Sequence, residues 1–470
     1  MGVRLKPNDF FTSSGRRAVQ SIVSDIIRVA SLSEIQASGY HDFRLMRRLI
    51  MTNPVQRLSR IPLVRLLGAT LSATLSMVLF GTTMTVAQSA DTPYTFRVAY
   101  NFCSLPGCAD GATPYAGLLG DSEGVGFGTT VGGGSAICNC GTILKITQKG
   151  QESVLYSFKG GSQGSNPNAG LIFDPQGNLY GTTLSGGNRI CMDGGRCGVV
   201  FRLTPGGKYN VVHAFLGIPD GALPYAGLVR DSAGNLYGTT SAGGIACPNN
   251  QEGCGTVFKI DTAGNESVLY SFQGGADGFA PKAGLVIDSQ GNLYGTTFGG
   301  GTDFPGTVFK VTPSGQEIVL YTFKNGADGN GPLGALLMDA QGNLYGTSSG
   351  TGGGDSNGTV FKLSPGGEET IVREFQGYPD GAQPAAGVIM DAEGNFYGTT
   401  SGGGAFHAGT VFKISKNGFE TVLYSFYGGS DGGNPVAPLV LGPNGNLYGT
   451  ASTHGFSNYF PSGNVFALIK

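Results

Sequence analysis

From residue 94 to the end of the chain, apolar positions come in short runs rich in Val, Ile, Leu, Tyr, Phe and Thr, each closed by Gly, Asp, Asn or Pro. That is the pattern of short strands separated by turns. The runs fall into a unit of four. Its pieces are A-G-L-x-x-D, as in Ala283–Asp288; G-N-L-Y-G-T-T, as in Gly291–Thr297; G-T-V-F-K-V, as in Gly306–Val311; and E-x-V-L-Y-x-F, as in Glu317–Phe323. The second piece recurs with its aromatic at Phe127, Tyr180, Tyr237, Tyr294, Tyr345, Tyr397 and Tyr448, at spacings of 53, 57, 57, 51, 52 and 51 residues. The first copy, G-V-G-F-G-T-T, departs furthest from the others.

A fixed period of this length signals a repeat architecture. Four strands per unit and seven units suit a propeller; a solenoid uses one or two elements per repeat and needs end caps. No cap is visible. Tyr94–Phe102 reads as a fourth piece alone, while the last unit stops after its third, at Gly463–Leu468. The expected fold is therefore all-β: a seven-bladed β-propeller with four antiparallel strands per blade. The N-terminal strand completes the last blade, which leaves no open unit.

Residues 1–90 form a separate segment. Leu66–Ala90 carries no charge, follows Arg57, Arg60 and Arg65, and ends in the small residues Ala87, Ser89 and Ala90. This is the layout of a secretion signal, with cleavage expected within 87–90. Its depth points to Met46 or Met51 as the true start. The rival readings are an amphipathic helix around Arg16–Gln36 and an uncleaved anchor, since the stretch is long enough to span a bilayer. Residues 91–470 are then the propeller, released to the periplasm or the medium. Only Ile469 and Lys470 follow the last strand, with no apolar tail or sorting motif.

Composition sharpens this picture. The 83 glycines lack the three-residue period of collagen, and 40% hydrophobic content is enough to build a core. Residues 1–90 carry a net +7 and the remainder −9, so a general nucleic-acid partner is not expected. Membrane contact is expected only through an uncleaved signal, and the chain is expected to be a monomer. Eight cysteines fall as near neighbours, Cys103/Cys108, Cys138/Cys140, Cys191/Cys197 and Cys247/Cys254. In an exported chain that reads as disulfides. A zinc site would need four ligands converging from different blades.

The unit P-x-A-G-L-x-x-D-x-x-G-N-L-Y-G-T-T, then G-T-V-F-K-I, then V-L-Y-S-F-x-G-G-x-D-G, resembles the GloVer tandem-repeat family over residues 95–470. Its order is also similar to NHL-type propellers. The second resemblance implies that the first piece lies innermost. The first implies an exported bacterial protein, and neither assigns chemistry to any residue.

Two carboxylates recur. Asp174, Asp231, Asp288, Asp339 and Asp391 head D-x-x-G-N, where an aspartate caps its own turn. One per blade makes a poor ion cage, because calcium takes six to eight oxygens. The other is the aspartate of D-G, at Asp110, Asp220, Asp277, Asp328, Asp380 and Asp431, with Gln163 in its place in one blade. With the first piece innermost, these six would form an acidic collar at the channel mouth. The plain alternative is a tight turn. Calcium is the cofactor considered for that collar; otherwise no cofactor or metal is expected.

The loop between the second and third pieces varies most and opens on the same face. Recognition commonly sits on such loops. His407, His454, Tyr459 and Phe460 are the candidate binding residues there, with Phe456 beside them. His213 reads as structural, near Phe215. No H-E-x-x-H, G-x-S-x-G or phosphate-binding loop occurs. The expectation is a non-enzymatic module that binds or scaffolds an extracellular glycan or protein. A hydrolase or lyase, using D-G carboxylates with His407 or His454 at the channel mouth, is the alternative.

Overall fold

The computed structural model describes residues 94–135, 137–191, 195–248, 251–300, 305–350, 357–453 and 462–470. The expectations for the secretion segment and the start site lie outside the described residues. Among the described residues no helix is long and apolar enough to cross a membrane.

Strands β1 (Thr95–Asn101) to β28 (Asn464–Ile469) form seven four-stranded antiparallel sheets. The blades' strands span residues 119–157, 172–214, 229–271, 286–322, 337–374 and 389–425; the seventh spans 440–469 and takes β1 as its fourth strand. β1 pairs antiparallel with β28, with Phe96 opposite Leu468 and Tyr100 opposite Val465. The expected closure is what the chain adopts.

N-L-Y-G-T-T can be read residue by residue. The leucine is core, as at Leu179, Leu236 and Leu293. The tyrosine hydroxyl donates to the aspartate that opens the preceding turn, as from Tyr294 to Asp288 at 3.0 Å. The glycine leaves room for the phenylalanine of the third strand: a Cβ on Gly295 would lie 2.6 Å from the Phe309 ring. The first threonine hydroxyl donates to a backbone carbonyl of the next blade. Such bonds run from Thr129 to Ala169, Thr182 to Ala226, Thr239 to Ala283, Thr347 to Ala386, Thr399 to Ala437 and, across the closure, Thr450 to Ala116. The second threonine meets one on its own third strand, as Thr240 with Thr256 at 2.7 Å.

The D-x-x-G-N aspartates have the expected turn role. Asp288 accepts from the backbone N–H groups of Gln290 and Asn292, the Asn292 amide and the Tyr294 hydroxyl. Burial pulls these carboxyls upward, but the donors overcome it and hold Asp174, Asp231, Asp288, Asp339 and Asp391 below the usual carboxylate value.

Each blade is too small to bury both faces alone, so the core lies between blades. Its largest buried side chains are phenylalanines, one following each fourth strand and one within the next third strand. They meet edge to face as Phe158–Phe201, Phe215–Phe258, Phe272–Phe309, Phe323–Phe361, Phe375–Phe412 and Phe426–Phe466, with centroids 5.0–5.3 Å apart. At the seventh interface Phe102 packs in one cluster with Leu144. Every third–fourth strand pair carries a register shift, as between Val308 and Phe309. Such bulges add twist to the outer strand.

Candidate functional site

Connections between second and third strands, and between one blade and the next, emerge on one end of the sheets; this is the loop face. The remaining turns form the turn face. Exposed large apolar side chains concentrate on the loop face: Leu105, Ile137, Ile190, Leu216, Ile218, Ile245, Tyr378, Phe406 and Tyr427. Ile137, Ile190 and Ile245 lie on loops closed by the disulfides Cys138–Cys140, Cys191–Cys197 and Cys247–Cys254. Together with Cys103–Cys108, these are the pairings expected from the sequence.

The aromatic members form one patch. The Tyr378 ring lies 6.0 Å from the His407 ring, and Phe406 meets Tyr427 edge-on at 5.2 Å. Tyr378 is 64% exposed, Phe406 50% and Tyr427 49%. Tyr378 and Tyr427 sit on the loops that enter and leave the sixth blade, and Phe406 and His407 on its second–third loop. Of the expected binding residues, His407 is thus in the patch. His454, Tyr459 and Phe460 lie outside the described residues, as does Phe456. The sequence reading missed Tyr378, Phe406 and Tyr427; the available signal was an aromatic where most other blades carry a small or polar residue, Leu216 and Ile218 apart.

The six D-G aspartates do not form a collar. Each carboxylate is held at the outer strand by that strand's own side chain and by loop N–H groups. Asp277 accepts from the Tyr270 hydroxyl and from Gln273 and Gly275 N–H; Asp328 and Asp431 repeat this with Tyr321 and Tyr424. Asp110 takes the Tyr100 hydroxyl, the Ser104 side chain and two N–H groups. Asp220 meets His213, and Asp380 meets Arg373. Gln163 takes the same role with Tyr156. The loop's own unpaired N–H groups draw the carboxylate inward, so it is spent on the turn and turned away from the channel.

A second carboxylate faces most of these aspartates across the blade interface. It is the glutamate that opens the next fourth strand: Glu152, Glu266, Glu317, Glu369 or Glu420. Burial, then the neighbouring aspartate charge, pushes Glu152 and Glu317 to about 7 and raises Glu369. Glu266 also reaches about 7 through burial and Asp220, opposed by His213. Glu420 reaches about 7 mainly through burial, which outweighs the opposing pull of Arg373. Arg373 bridges both carboxylates of its interface, at 2.5 Å from Asp380 and 2.7 Å from Glu420.

The central channel holds a cavity of about 390 Å³ lined by the segments that lead into the first strands of all seven blades, which places the A-G-L piece innermost as expected. Its wall is mostly glycine, alanine, leucine and valine, and none of the six D-G aspartates lines it. Lys282, at its edge, sits over the Phe298 and Tyr225 rings at 4.3 and 5.3 Å, and burial lowers its ammonium pKa. A second cavity of about 260 Å³ opens between the first and last blades, with Leu118, Val125, Ile146, Val440 and Ile469 as apolar wall and Arg97, Gln148 and Tyr448 as polar groups. Gly126 stands there where other blades carry a buried leucine or phenylalanine, and Leu118 is only half-buried, whereas Leu171, Leu228 and Leu439 are buried.

The Gloeobacter/Verrucomicrobia repeat model matches residues 68–285 and again 244–466. No curated protein matches the chain. Among solved structures, a streptogramin B lyase superposes with a TM-score of 0.51 at 15% identity, covering 80% of this chain and 97% of its own. A gluconolactonase from Xanthomonas campestris gives 0.39 at 13%, covering 65% and 85%. A glucose dehydrogenase-like protein from Thermus thermophilus gives 0.41 at 15%, covering 80% and 100%. At such identities the likeness to the lyase is one of fold.

Proposed function

Because the chain belongs to the Gloeobacter/Verrucomicrobia repeat family and closes as a seven-bladed propeller, we propose that it is an exported module that binds an extracellular glycan through its loop face. The observation that carries this is the patch of Tyr378, Phe406, His407 and Tyr427. Exposed rings of this size cost solvation free energy unless a partner covers them, and sugar rings present apolar C–H faces that stack on aromatics. Four disulfides suit an oxidising compartment.

The reading is of a non-catalytic protein. The patch holds one imidazole, His407; its backbone N–H donates to Gly404, and among the described residues no side-chain hydrogen bond orients its ring. A general base needs a partner that orients it. A glycan array probed with the propeller, beside a Tyr378→Ala/Phe406→Ala variant, tests the proposal. Retention of at least one glycan class by the parent and its loss in the variant is expected. Equal retention by both would move the site elsewhere, and a protein ligand captured without any glycan would change the partner class.

A further inference from the structure

At the interface of the second and third blades, the outer-strand side chain that meets the aspartate is neither tyrosine nor arginine but His213. We propose that His213, Asp220 and Glu266 form a site for one divalent transition-metal ion, of which zinc is the type, joining the two blades at the rim.

The three residues each offer a ligand atom, all within 4.8 Å of one another. His213 Nε2 lies 3.1–3.2 Å from both Asp220 oxygens. Glu266 Oε1 is buried and has no hydrogen-bond partner, as is the matching oxygen of Glu152, Glu317, Glu369 and Glu420; only here does an imidazole stand beside it. Tetrahedral zinc with ligands at about 2.1 Å sets its donors about 3.4 Å apart. The His213–Asp220 pair already has that spacing, and a change in the Glu266 rotamer supplies the third donor.

One other rim of the chain places a cation between the matching carboxylates. Three interfaces further round, a guanidinium nitrogen of Arg373 lies between Asp380 and Glu420, the counterparts of Asp220 and Glu266. His213 carries no such reach: it meets Asp220 and leaves Glu266 unbonded. A metal ion replaces the missing positive charge and satisfies both carboxylates at once. One imidazole with two carboxylates is a donor set for zinc, whereas calcium prefers oxygen throughout. The cysteines are all paired and do not compete for the ion.

The test uses the exported chain without a histidine tag, stripped with chelator and titrated with zinc chloride at neutral pH, with heat of binding and melting temperature as readouts. One zinc per chain and a raised melting temperature are expected. His213→Tyr installs the residue found at five other rims, so the metal-free variant should melt near the parent. It should bind zinc at least tenfold more weakly, and Glu266→Gln should do the same. Undiminished zinc binding in a folded His213→Tyr or Glu266→Gln variant overturns the proposal, as does a parent chain that takes up no zinc.

Discussion

The ring of Tyr209 lies flat on that of Tyr156, with centroids 4.2 Å apart and planes 2° from parallel. Tyr209 occupies the position that is glutamate in five blades, and the aspartate it would face is Gln163. Both carboxylates of the pair are thus absent from this one interface, and a stacked aromatic pair replaces them. At the closing interface Phe96 takes the same position and stacks on Tyr424 at 3.8 Å. The rim therefore has two solutions: a carboxylate pair sharing a proton or a cation, or two rings in contact.

The stack at the closure carries more weight than the others, because no peptide bond joins β1 to the last blade. Phe96 also touches Phe426 and Phe466. Phe96→Ala should lower unfolding free energy by about 2–3 kcal/mol, at the lower end of buried-aromatic truncations since the ring is half-buried. Deleting residues 91–102 removes the strand, Phe96 and Phe102 together and should lower the melting temperature sharply. Chemical denaturation of both variants checks the order of the two effects.

The blade count, the closure and the innermost strand were legible because one residue of each repeat does one physical job, and seven copies average out local noise. The collar was not. D-G looks the same in sequence whether its carboxylate faces the channel or bonds its own loop, and only the Tyr270-to-Asp277 distance separates the two. The glutamates were missed for a similar reason: Glu317 opens an ordinary exposed-looking strand, and its partner lies in the preceding connection. The packing of one blade on the next that brings them together leaves no mark in the pattern.

The glutamate pairs set a pH dependence of stability. Glu152, Glu266, Glu317 and Glu420 have carboxyl pKa values raised from 4.5 to about 7 in the folded chain. Between these values the folded chain holds protons that the unfolded chain has released. Their stabilising contribution is complete below about pH 4.5 and is lost as pH rises through 7. The turn aspartates act in the opposite sense, losing theirs as pH falls below the usual carboxylate range. The melting temperature should therefore peak in mildly acidic buffer and fall by several degrees toward pH 8. Glu317→Gln should melt higher than the parent at pH 8 and alike at pH 4.5; a flat profile from pH 5 to 8 would count against shared protons at the rim.

At the cavity between first and last blades, Gly126→Leu restores the side chain that the other blades place there. Its φ is not in the left-handed region, and a Cβ would sit 3.3–3.4 Å from flexible ends of Leu118 and Ile146. Filling the space should stabilise by roughly 1–2 kcal/mol, the burial of one leucine less some repacking. Unchanged or lower stability would show that the cavity is already occupied by solvent or ligand that leucine displaces.

One link in the inner ring of threonine bonds is missing, and it yields the sharpest contrast. Thr296 is buried, and among the described residues its hydroxyl has no partner. Its neighbouring blade carries Gly334–Ala335 where five others carry alanine then glycine and the last carries Ala437–Pro438. Thr239, one blade earlier, donates to Ala283 at 3.2 Å. Replacing an unpaired buried hydroxyl by a methyl removes a desolvation cost, so Thr296→Val should stabilise by about 1 kcal/mol. The same change at Thr239 breaks a made bond and strands the Ala283 carbonyl, so it should destabilise by about 1–2 kcal/mol. The two variants differ in composition by the same atoms and in position by one repeat. If their midpoints in denaturant moved in the same direction, the inter-blade hydrogen bonds would be incidental to the ring's stability.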